Sequence, residues 1–151
     1  MLQTTSQIID HYTRMEQKIQ GDYSNLADRF PEYGDLFRRY SDDTSKHRER
    51  VLRAYRFGVT DAYEVGFVSN PLEADDFKLT EIEGNDLDES LDKLLKNEGK
   101  AVRFLEAAKE SSGELIPDLH NNYQYIIKMK KRRIEQIKKI NERLSAIEAR
   151  Q

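Results

Sequence analysis

Four residues carry most of the chemistry this sequence can offer: Glu16, His47, Glu98 and Lys130. Each interrupts a stripe of otherwise apolar positions at helical spacing. Two carboxylates and an imidazole are a donor set for iron, manganese or zinc. Two carboxylates and an ammonium make an ion cluster instead. In either case a charge on a core-facing stripe is costly unless it is paired or metal-bound. Other chemistries lack their parts. There is no Cys, which excludes thiolate metal sites, disulfides and thiol nucleophiles. There is no glycine-rich phosphate loop with a strand before it, and nothing has the form of a nucleophile elbow.

The elements that must position these residues are four helices. The first is predicted from about Ser6 to Arg29, with Ser6 or Thr5 as N-cap. Its stripe reads Tyr12, Glu16, Ile19, Tyr23, Leu26 and Phe30. Pro31 and Gly34 break the pattern, and the short break predicts an antiparallel partner. The second helix is predicted from about Asp35 to Tyr55, with Phe37, Tyr40, Thr44, His47, Val51 and Ala54 on one face and Asp43 beside it. The third starts after Asn85-Asp86 and runs to about Glu110 through Leu87, Leu91, Leu94, Glu98, Ala101, Leu105 and Ala108, ending at Ser111-Ser112-Gly113. The fourth runs from about Pro117 to Ala149 through Tyr123, Ile127, Lys130, Ile134, Ile137 and Leu144, and its last turns are expected to project beyond the bundle. From about 57 to 86 the pattern fails, punctuated by Gly58, Gly66, Asn70-Pro71 and Gly84-Asn85. A connection of that length is the crossover type, with Phe57, Tyr63, Phe67, Phe77 and Leu79 available to pin it to the helices.

The expected fold is therefore all-α: a single domain over residues 1–151, an antiparallel four-helix bundle with a long crossover between helices 2 and 3. The chain also repeats itself. Shifted by 83 residues, Tyr40 falls on Tyr123, His47 on Lys130 and Val51 on Ile134; with one residue less, Glu16 falls on Glu98.

Charge is unevenly placed around a net −3. Glu73 to Asp92 holds nine acids and one Lys, and Lys128 to Arg150 nine bases and three acids. Lys131, Arg132, Lys138 and Lys139 are the candidate binding residues for an acidic partner. Phosphate contacts by this run would carry no sequence readout, and a nucleic-acid partner is not expected. His11 and His120 read as surface histidines. No basic segment followed by an apolar run opens the chain, and no apolar stretch approaches ~20 residues. A cytoplasmic protein without a membrane span is expected.

Glu16 with Tyr23-Ser24-Asn25-Leu26-Ala27, then Asp43-Thr44-Ser45-Lys46-His47, then Asn97-Glu98 through Phe104-Leu105-Glu106-Ala107-Ala108, resemble elements of the ferritin-like bundles, in particular the rubrerythrin-like group. That family places a Glu on helices 1 and 3 and Glu-x-x-His on helices 2 and 4. The resemblance implies Glu16, His47 and Glu98 as metal ligands, with Asp43 as a possible extra one, and a homodimer. The sequence departs from the pattern at Thr44, where a carboxylate is expected, and at Ile127 and Lys130, where Glu and His are expected. It has no Cys pair for a rubredoxin-type iron. These departures imply an eroded di-metal site in a non-catalytic protein that acts through association, with no cofactor. The alternative is a residual iron or manganese site serving a metal-dependent oxidoreductase. Three arrangements of Lys130 follow: a buried Glu16–Lys130–Glu98 cluster, with His47 and Tyr40 or Tyr123 as candidate neighbours; a lysine reaching out to solvent; or a mononuclear metal on Glu16, His47 and Glu98.

Overall fold

The structure, a computed structural model, describes residues 1–61, 67–83, 86–112 and 116–149. Expectations for Tyr63, Gly66, Gly84, Asn85 and Gly113 lie outside these residues.

The apolar stripes become four long helices: α1 (Thr5–Arg29), α2 (Gly34–Asp61), α3 (Leu87–Ser112) and α4 (Pro117–Ala149). The chain is an all-α bundle, as the periodicity predicts. The start of α1 is a correction: its N-cap is Thr4. Thr4 Oγ1 accepts from the Gln7 backbone N at 3.1 Å, and Gln7 Oε1 accepts in return from Thr4 N at 3.2 Å. Such a reciprocal cap needs Gln or Glu three residues on. Thr5 and Ser6 are followed there by Ile8 and Ile9 and cannot close it. A single 3₁₀ turn, Pro31–Tyr33, then reverses the chain into α2.

The end of α2 is a second correction. The helix passes its predicted end at Tyr55 and continues to Asp61, with Gly58 inside it. Gly58 is there for space rather than for a turn. A Cβ on it would stand 3.0 Å from Ile116 Cδ1 and closer still to Ile116 Cγ2. The glycine lets α2 approach the residue that leads into α4.

Side-chain contacts give the helix directions. Ser24 Oγ meets Ser41 Oγ at 2.9 Å while Arg48 Nη1 donates to Gln20 Oε1 at 2.8 Å, so α1 and α2 are antiparallel. Lys131 pairs with Glu106 and Asn141 donates to Asp92, so α3 and α4 are antiparallel. Arg50 bonds Asn122 and Arg133 bonds Thr44, which makes α2 and α4 antiparallel. Tyr23 reaches Glu98 and His11 packs at a tilt against Phe104, which does the same for α1 and α3. The principal packing pairs are these four. Hence α2 and α3 sit on a diagonal and point the same way.

The segment between them also holds regular structure. It carries β2 (Phe67–Leu72), paired antiparallel with a short N-terminal strand, β1 (Leu2–Thr4), and a 3₁₀ turn at Ala74–Phe77. Residues 69–83 form a strap down the length of α3. Ser111 Oγ donates to Asn70 O at 2.6 Å, Lys100 Nζ to Lys78 O at 2.6 Å, and Lys93 Nζ to Glu83 O at 2.7 Å. Asn97 is the central clasp: its side chain donates to Thr80 O at 2.8 Å and accepts from Thr80 N at 2.7 Å. Side chains of α3 thus satisfy backbone groups that have no helix or sheet partner. Phe77 packs edge-on to Phe104 at 5.3 Å, and Leu79 is half-buried, so both do pin the strap. Phe57 and Phe67 do not: they are 66% and 80% exposed.

The last turns of α4 also differ from expectation. They stay beside the start of α3, where Asn141 meets Asp92 and Glu148 approaches Asp88. His11 and His120 are half-buried rather than superficial. Among the described residues no helix is long and apolar enough to cross a membrane.

Candidate functional site

Each stripe delivers its polar residue to the middle of the bundle. Glu16 comes from α1, Glu98 from α3 and Lys130 from α4, and all three are fully buried. Lys130 therefore does not reach solvent. Its Nζ lies 2.7 Å from Glu16 Oε1 and 2.7 Å from Glu98 Oε1. The contact with Glu98 is an aligned hydrogen bond; the contact with Glu16 is an ionic approach outside hydrogen-bond alignment.

The second oxygens of the carboxylates are also held. Tyr12 donates its hydroxyl to Glu16 Oε2 at 3.1 Å, and Tyr23 donates to Glu98 Oε2 at 2.9 Å. A fourth charged residue completes the group. Arg133 Nη1 donates to Glu98 Oε2 at 3.0 Å and to Thr44 Oγ1 at 2.9 Å. Its guanidinium also faces the Tyr23 and Tyr40 rings, at 5.2 and 5.1 Å from their centroids, a favourable cation–π placement. Two carboxylates face two cations, so the buried group is neutral as a whole.

Thr44 accepts from Arg133 and donates its own hydroxyl to Tyr40 O at 2.7 Å. Neither Tyr40 nor Tyr123, the tyrosines expected beside the cluster, bonds to a carboxylate. Tyr40 donates to Gln136 Oε1, and the buried Tyr123 hydroxyl lies beside Ser112. Tyr12 and Tyr23 take that role, being on the α1 face that carries Glu16.

The electrostatics follow from burial and pairing. Burial alone would push the Glu98 carboxyl up. The Lys130 ammonium and Arg133 guanidinium outweigh it and hold its pKa down to about 2. Burial raises Tyr12 and Tyr23 well above the usual phenol value, and the neighbouring carboxylates raise them further, so both stay protonated donors. His47 is depressed to about 3, first by burial and then by Arg133 and Lys130. It is a neutral imidazole with its Nδ1 buried and unpartnered, its ring edge-on to Tyr125 at 6.1 Å.

The structure thus brings Glu16, Glu98 and Lys130 together and leaves His47 outside that contact. Among the described residues no group of three or more His, Cys, Asp and Glu is arranged to hold a metal. Asp43, the possible extra ligand, faces an outer cleft instead. The predicted basic binding residues divide. Lys131 pairs with Glu106 at 3.2 Å and Lys138 with Glu135 at 3.6 Å, whereas Arg132 and Lys139 line the cleft.

Arg133 is the site residue that the sequence reading misses. It sits in the run Lys128 to Arg133, where an exposed face is the default reading. The available signal is its spacing: it is three residues from Lys130 and four from Ile137, which puts it on the buried stripe. No protein-family model, curated protein or solved structure matches the chain.

Proposed function

We propose that this chain is a non-catalytic, ferritin-like four-helix protein whose ancestral di-metal site is replaced by the Glu16–Lys130–Glu98–Arg133 cluster, and that it acts through association, as a homodimer or with a protein partner. One observation carries the reading: a fully buried ammonium stands 2.7 Å from both carboxylates that would otherwise bridge metal ions. A dication at that point would meet two fixed positive charges. The carboxylates are fully buried and the tyrosines beside them are held protonated. The diagonal, parallel placement of α2 and α3, with a strap along α3, supports a crossover of the ferritin-like kind.

Phe57 and Phe67, two large apolar side chains in solvent, are the positions at which association would be felt most. The test is molar mass by light scattering across a concentration series. A dimer that becomes a monomer in the double variant Phe57→Ser, Phe67→Ser supports the homodimer. A monomer at every concentration turns the reading to a different protein partner. The alternative reading, iron or manganese on Glu16, His47 and Glu98, requires Lys130 to leave the carboxylates and His47 to enter.

A further inference from the structure

We propose that the cleft between α2 and α4 binds a small organic ligand carrying two or more phosphate groups. The cleft has a volume of about 560 Å³, within the range of small-molecule sites. Its rim is cationic: Arg39 from α2 and Arg132, Lys139 and Arg143 from α4. None of these four is in an ion pair among the described residues, and they face a single carboxylate, Asp43. Four cations lining one cleft with a single carboxylate leave an excess of positive charge, which an anion relieves. Three of them are arginines, whose planar forks match phosphate oxygens two at a time.

The floor and wall are built differently. Tyr40, His47 and Arg133 form a buried floor, and His47 carries the unpartnered Nδ1. Leu36, Met129 and Ile140 supply an apolar wall against which an organic moiety can rest. Arg133 belongs to both sites. Its Nη1 points inward to Glu98 and Thr44 while the residue lines the cleft floor, so its charge is balanced by Glu98 and attraction of an anion rests on the rim. The closed floor and the volume favour a compact polyanion over an extended acidic peptide. The inference stands apart from the fate of the metal site, because the four rim cations make no contact with Glu16 or Glu98 among the described residues.

The experiment is isothermal titration of the whole chain with ADP, inorganic tripolyphosphate, citrate and a poly-glutamate peptide at about 150 mM salt, where nonspecific charge effects are screened. ADP or tripolyphosphate is expected to bind at least tenfold tighter than citrate. ADP tighter than tripolyphosphate assigns the apolar wall to the organic part; equal affinity assigns recognition to the phosphates alone. The double variant Arg39→Gln, Arg143→Gln changes two exposed side chains that have no ion pair among the described residues and should weaken binding at least tenfold. Lys128→Gln, outside the cleft, should leave it unchanged. Equal binding of citrate, binding of the peptide alone, no binding by any probe, or an unaffected double variant would overturn the proposal.

Discussion

Arg133 of α4 and Glu98 of α3 are joined at 3.0 Å in the centre of the bundle, and this contact neutralises the buried charge. Glu16, Glu98 and Lys130 alone would leave one net negative charge in a medium of low dielectric. Arg133 removes it and uses the same nitrogen to bond Thr44, so α2, α3 and α4 are tied at one level.

Removing either cation should therefore unbalance the group. Lys130→Met and Arg133→Met are each expected to lower stability by about 3–5 kcal/mol, the usual cost of stranding a buried charge. Urea unfolding measures it. A variant with all four charged residues replaced by apolar ones of similar volume should regain most of the loss, because burying ions carries its own desolvation cost. A Lys130→Met protein as stable as the parent would show that the ammonium is not paired in solution.

Stability should rise steeply with pH through the acidic range. His47 falls from 6.5 to about 3 on folding and Glu98 from 4.5 to about 2. For both, the unfolded chain binds the extra proton first. Their contributions are thus complete above the unfolded pKa and lost as pH falls toward the folded value. His47 acts between about pH 6.5 and 3, on the order of 3–5 kcal/mol, and Glu98 between about 4.5 and 2. In His47→Phe, the slope of unfolding free energy between pH 6.5 and 4.5 should flatten while the loss below 4.5 persists. An unchanged slope would place the imidazole in contact with solvent.

Gly58→Ala should destabilise, against the helix propensity that favours Ala by about 1 kcal/mol. The new Cβ meets the buried, β-branched Ile116, and overpacking of this kind costs about 1–3 kcal/mol. The loss should shrink when Ile116→Ala is combined with it, a coupling that a double-mutant cycle detects. A stabilised single variant would mean that α2 and Ile116 are not in contact.

Much of this arrangement is legible in the sequence, and the exceptions have physical causes. The seams of α1 and α2 are read nearly residue by residue, because a 3.6-residue period identifies a buried face without knowledge of its partner. Glu16, Glu98 and Lys130 stand out because each breaks such a seam. Tyr12 and Tyr23 do not, since an aromatic on a seam looks like packing whether or not its hydroxyl reaches a carboxylate. Arg133 is hidden by its basic neighbours. Gly58 has the same letter whether it bends a chain or admits a side chain. The strap has no period at all: its order comes from Asn97, Lys100 and Ser111 on another element, information that is not local to residues 69–83.

The central claim is that an ammonium holds the place of a metal between Glu16 and Glu98. The most direct measurement is metal content per chain by plasma mass spectrometry, on protein produced with iron and manganese supplements and without affinity metals, paired with melting temperature on adding Mn²⁺. Metal far below one ion per chain and no rise in melting temperature are expected. Stoichiometric metal, lost in Glu98→Ala and raising the melting temperature of the parent protein, would contradict it.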